Sequence, residues 1–158
     1  MSSHVPSPRP ASGRPRELLS QDHVRIERLF TELLGAFATG DREAIASEWT
    51  RFDEALRAHL DAEEVHVLPL FRAVDAEEAA RIAEDHAYFR GKLGELAVCV
   101  DLHVVSLPMA TELVDRLRAH AVREDALMYR WADAHLEHPA STSIGEKLSS
   151  LRPAMSLQ

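Results

Sequence analysis

The chain has 158 residues, 28% of them charged, and a formal net charge of −8 with histidine neutral. This is one domain's worth of sequence, enough to bury a substantial core, and its acidity sets nucleic acid aside as a primary partner. No run reaches the roughly 18 to 20 apolar residues of a membrane span, and Cys99, the single cysteine, excludes an internal disulfide framework and suits a reducing cytoplasm.

Residues 1–14 carry three prolines with serine and glycine and are expected to form a disordered tail. They lack the apolar core of a signal peptide, so export by a standard signal is not expected. From about Pro15 to Ala38, Leu19, His23, Ile26, Phe30, Leu33 and Phe37 recur at steps of three and four, the period of an amphipathic helix. Gly40 and Asp41 end that helix and cap the next. The second helix puts Trp49, Phe52, Leu56, His59, Glu63, His66 and Leu70 on one stripe. Asp75 with Glu78 reads as a capping box for the third, whose seam holds Ile82, His86, Phe89, Leu93, Leu96 and Val100. Leu107-Pro108 opens the fourth, since proline is at home in a first turn. There Leu113, Leu117, His120, Glu124, Leu127 and Trp131 align before Pro139. Short connections favour antiparallel neighbours, so residues 15–138 are expected to form an all-α, up-down-up-down four-helix bundle. Residues 139–158 read as a C-terminal tail, either loose or docked as a short helix around Lys147.

The polar residues on these stripes occur twice over. His23 and His86 stand 63 apart, while His59 and His120, and Glu63 and Glu124, each stand 61 apart. Their surroundings repeat too: Gln21-Asp22-His23 matches Glu84-Asp85-His86, and Leu56-Arg57-Ala58-His59 matches Leu117-Arg118-Ala119-His120. At about 1.5 Å rise per residue the six reach compatible heights in a bundle. Residues four apart share a helix face, so each His-x-x-x-Glu presents a nitrogen and an oxygen to one centre. Two buried carboxylates are costly unless cations compensate them, and imidazole with carboxylate suits iron, manganese or zinc better than calcium or magnesium. The expected ligands of a dinuclear metal site are therefore His23, His59, Glu63, His86, His120 and Glu124.

The run of a lone His, then HLDAEE, then DH, then HAVRED resembles the hemerythrin-like, HHE cation-binding domains, and HLDAEEVHVLPLF is especially close to that family's second-helix signature. The likeness covers roughly Arg16 to His135. It implies a four-helix bundle with two non-haem iron ions, bridged by carboxylates and by oxo or hydroxo ligands, and it carries the same six residues over as ligands. In the neighbouring pair Glu124-Asp125, the repeat favours Glu124 as the bridging residue. The family's oxygen carriers have a second His one turn after the third-helix His; here that position is Arg90. His66, present in one copy only, is either a replacement ligand or a packed neighbour. Arg90 and Glu27, repeat equivalents, either pair with each other or hold a supporting carboxylate. Tyr88 is expected to point away from the site. Tyr129, at the edge of the seam, is expected to touch a ligand at most. His103 lies too far along its helix to take part, and His4, His135 and His138 fall in tails or frayed ends. Phe30, Phe89, Leu117 and Leu127 are expected to form a dry shell.

The function these features imply is binding or sensing of dioxygen or nitric oxide, or consumption of peroxide, in the cytoplasm, without a membrane or nucleic-acid partner. The alternatives are iron or other cation handling without turnover, and a helical module with a purely structural metal. No protein partner is indicated.

Overall fold

The computed structural model describes residues 14–136 and 138–149. All regular structure among them is helical: α1 (Pro15–Thr39), α2 (Arg42–His66), α3 (Leu68–Arg72), α4 (Ala76–Asp101), α5 (Leu107–Ala126), α6 (Met128–His135) and α7 (His138–Ser149). Among the described residues no helix is long and apolar enough to cross a membrane. The four long helices close a ring, with α1 packed on α2, α2 on α4, α4 on α5 and α5 back on α1.

Local chemistry sets most of the ends. Gly40 takes a left-handed conformation at φ 70°, where its N–H closes on the Phe37 carbonyl, and Asp41 then caps α2 by accepting from the amides of Glu43 and Ala44. Asp75 accepts the Glu78 amide, but only half of the expected capping box forms. The Asp75 N–H is taken by the Phe71 carbonyl, and the Glu78 carboxylate faces Arg81 and Arg123. Ser106 caps α5 ahead of Pro108.

Two expected helices are each interrupted. The second breaks at Val67 (φ −118°, ψ −56°), because Pro69 has no N–H with which to continue the ladder. The fourth breaks at Leu127 (φ −127°, ψ −63°), at nearly the same place in the repeat. Each break turns the following residues: Leu70 and Leu127, expected inside, are about half exposed, while Leu68, Phe71, Met128, Tyr129 and Ala132 are buried instead. The C-terminal segment runs as α7 against α1 and α2, with Ile144 and Leu148 buried. Residues 1–13 and 150–158, where tails were expected, lie outside the described residues.

Two large apolar clusters fill most of the interior, and a small one of Ala36, Ile45 and Val100 adjoins the first. The first contains Ile26, Phe30, Phe52, Leu56, Phe89, Leu93 and Leu113. The second contains Leu19, Ala62, Phe71, Ile82, Met128 and Ile144. On α1 and α4 the sequence passes from one cluster to the other across His23 and His86. His120 and Glu124 likewise separate Leu113 from Met128. The polar residues form a layer between two dry ends of the bundle.

Candidate metal centre

All six expected residues meet in this layer. His59, Glu63, His86, His120 and Glu124 are buried, while the His23 side chain keeps 19% of its surface at the rim. They form two groups, His23 with His59, Glu63 and Glu124, and Glu63 with His86, His120 and Glu124, in each of which the candidate donor atoms lie within 4.8 Å of one another. Both carboxylates belong to both groups. Glu63 turns Oε1 to His59 Nε2 at 2.9 Å and Oε2 to His86 Nε2 at 3.1 Å. Glu124 turns Oε1 to His120 Nε2 at 2.9 Å and His23 Nε2 at 3.2 Å, and Oε2 to His86 Nε2 at 3.7 Å.

Three of the rings are held from behind. His59 Nδ1 lies 2.8 Å from Asp22 Oδ2, and His120 Nδ1 lies 2.9 Å from Asp85 Oδ2. Asp22 and Asp85 are repeat equivalents, each just before the histidine that opens its half. His86 Nδ1 lies 3.1 Å from Glu64, whose carboxylate Arg90 grips together with Asp61. An ionised carboxylate accepts only, so these contacts put the proton on Nδ1 and turn the Nε2 lone pair inward, the tautomer a metal ligand needs.

Facing lone pairs and carboxylate oxygens repel unless positive charge lies between them, and protons can supply it. Burial lowers proton affinity at His86, but hydrogen bonds and charge from Glu124 and Glu63 outweigh it and lift the ring to about 10. At His120 burial is likewise outweighed, by the Glu124 charge and the Asp85 contact, and the ring rises to about 9. His59 moves up well above its ordinary value against its burial, driven by Glu63 and Asp22. Even so, Glu63 Oε2, His86 Nε2, His120 Nε2 and Glu124 Oε2 remain buried without an aligned hydrogen-bond partner. These are one atom from each member of the second group. Four converging, unsatisfied N and O donors fit a divalent or trivalent cation.

Asp125, the alternative to Glu124, pairs outward with Arg16 at 2.8 Å. Arg90 and Glu27 do not pair: Arg90 takes Glu64 and Asp61, and Glu27 takes Arg118. Asp125 is the repeat counterpart of Glu64, and Glu27 that of Arg90. With a carboxylate at 27 instead of an arginine, position 125 lacks the counterpart of the Arg90 grip on Glu64, and Asp125 pairs with Arg16 instead. His66, half-buried at the end of α2, belongs to neither donor group. Tyr88 points outward and donates to Glu112. His103 is exposed beyond α4, and His135 is exposed at the end of α6. His4 and the side chain of His138 lie outside the described residues. Of the expected dry shell, Phe30 and Phe89 are buried and Leu117 is partly so, whereas Leu127 is not.

Tyr129 is the residue that sequence reasoning placed too far out. It is fully buried, and its hydroxyl donates to Glu63 and lies 3.1 Å from His23 Nε2, 3.3 Å from Glu124 Oε1 and 3.4 Å from His59 Nε2. An uninterrupted helical stripe puts residue 129 off the seam; the break at Leu127 turns it in. The signal for that break was Pro69, which marks the same interruption in the other copy.

A cavity of about 740 Å³ between α1 and α5 reaches the layer at His23, His59 and His120. Its walls include Phe30, Leu56 and Phe89, with Glu27 and Arg118 among its polar residues.

A helical bundle with a buried His/Glu cluster compatible with a metal site defines the class. More particularly, the chain belongs to the hemerythrin HHE cation-binding domain family, whose model matches residues 14–142. No curated protein and no solved structure matches it.

Proposed function

We propose that this protein is a non-haem di-iron protein that binds or senses dioxygen or nitric oxide, or consumes peroxide. The reading rests on one observation: two donor groups share Glu63 and Glu124, each carboxylate facing histidines of both halves. In it, His23 and His59 hold one ion, His86 and His120 the other, and the two glutamates bridge. When bound, such a pair supplies electrons and open coordination positions to small oxidants. The chain's part is to balance charge with the two carboxylates, to fix the imidazole tautomers through Asp22, Asp85 and Glu64, and to admit a small molecule along the α1–α5 cavity. The up-down-up-down course of the long helices and a cytoplasmic setting, suited to the unpaired thiol of Cys99, belong to the same reading.

Iron analysis with absorption spectra before and after azide or peroxide is the test. Two irons per chain and a spectrum that responds to either reagent are expected. Well under two ions per chain after iron-replete expression defeats the dinuclear assignment, and a full complement with an inert spectrum leaves cation handling in its place. Replacing Glu63 or Glu124 by Ala is expected to lose both ions, and His23→Ala mainly one.

A further inference from the structure

The two donor groups are not alike. Apart from Arg25 Nη2, which faces Asp22, the buried side-chain atoms without hydrogen-bond partners among the described residues come one from each member of the His86 and His120 group, whereas the His23 and His59 group is filled by a phenol. The Tyr129 hydroxyl contacts His23, His59, Glu63 and Glu124, the complete membership of that group. A phenol has one proton to give, and Glu63 receives it. His59 Nε2, oriented by Asp22 behind the ring, and Glu124 Oε1 also face the Tyr129 oxygen. A phenol oxygen within reach of every member of one donor group is well placed as one more donor to a cation they share.

The ring has little freedom to withdraw. It is fully buried beside Met128 and Ala132, and it stacks on His23 with centroids 5.6 Å apart and planes inclined by 26°. The first copy of the repeat offers no such group, since the counterpart of Tyr129 is Leu68, a buried apolar residue. Tyrosine is thus built into one half of the centre only.

We propose that Tyr129 is a ligand of the ion held by His23 and His59, a seventh protein donor that makes the two metal positions chemically distinct. The proposal rests on the dinuclear reading above. Coordination exchanges the phenolic O–H bond for an oxygen–metal bond, and the proton passes to solvent, so one positive charge leaves as the cation arrives.

The chain has two tyrosines, Tyr129 and the outward-facing Tyr88, which makes the test clean. Full-length protein loaded with ferric iron is compared with Y129F and Y88F by iron analysis, visible absorption and resonance Raman scattering. Wild type and Y88F are expected to show a phenolate-to-iron charge-transfer band with enhanced tyrosine ring modes that shift on ring deuteration; Y129F is expected to lack both. Iron-loaded wild type without these features overturns the proposal, as does Y129F that retains them. If Y129F does not fold, the deuterated Y88F protein still reports on Tyr129 alone. Iron content separates the two ideas. A tyrosinate signature at one iron per chain keeps the ligand and sinks the dinuclear reading, while two irons with no signature do the reverse.

Discussion

Asp22 and Asp85 never touch the inward face of the site, yet they decide which imidazole nitrogen faces it. Removing either frees the ring behind which it sits and lets the Nδ1 proton seek another partner. Loss of such an orienting carboxylate typically weakens a metal site by about 10–100-fold. Asp22→Ala and Asp85→Ala are each expected to fall in that range in competition titrations against a chromophoric chelator. Unchanged affinity in both variants would show that the tautomers are set elsewhere. Arg90 acts one step further out: it holds Glu64, and Glu64 holds His86. Burial pushes the Glu64 carboxyl up, but Arg90 and His86 outweigh it and keep it below the usual range.

At the scale of elements, interruptions matter more than helices. The breaks at Val67 and Leu127 are what bring Phe71 and Tyr129 inside and send Leu70 and Leu127 out. Helix α7 then closes the end of the bundle, where Ile144 packs in one cluster with Leu19, Phe71 and Met128. Ile144→Ala removes a fully buried side chain and is expected to cost about 2–5 kcal/mol, read as a shift in chemical-denaturation midpoint. A negligible shift would mean that α7 contributes little to the fold. Gly40→Ala tests the α1–α2 turn. No atom lies within 4 Å of the added methyl, so the whole effect comes from φ 70°, and a loss of about 1–2 kcal/mol is expected in the same assay.

The whole molecule should respond to pH in opposite ways with and without metal. In the metal-free protein His86 and His120 bind protons more tightly than an unfolded histidine does. Their contribution to stability is therefore complete below an unfolded pKa of about 6.5 and is lost as pH rises through about 9 and about 10. The metal-loaded protein needs the same rings neutral, so protons compete with the ions and stability falls in acid. Melting temperatures across this range, with chelator and with iron, are expected to slope in opposite directions. Parallel slopes would show that metal and protons do not compete for these rings.

How much of this was legible in the chain follows from distance along it. The helical class, the Gly40-Asp41 turn and the convergence of six polar residues are governed by periodicity, capping and an internal repeat. All three act within a few turns or recur at a fixed spacing, so one sequence carries them. Tyr129, expected at the edge of the seam and touching a ligand at most, does touch candidate ligands but lies fully inside, because its orientation depends on a helix break with no proline or glycine of its own. Arg90 and Glu27, which read alike as candidates for one ion pair, were separated by the carboxylates that packing brings to each: Glu64 and Asp61 in one case, none in the other. The sequence by itself determined that six polar side chains converge in the middle of this bundle, because hydrophobic period and repeat spacing are properties of the chain. Only the tertiary structure decided that the two halves of the centre differ, because that difference comes from contacts between residues far apart in the chain, such as Tyr129 with His23, 106 positions away.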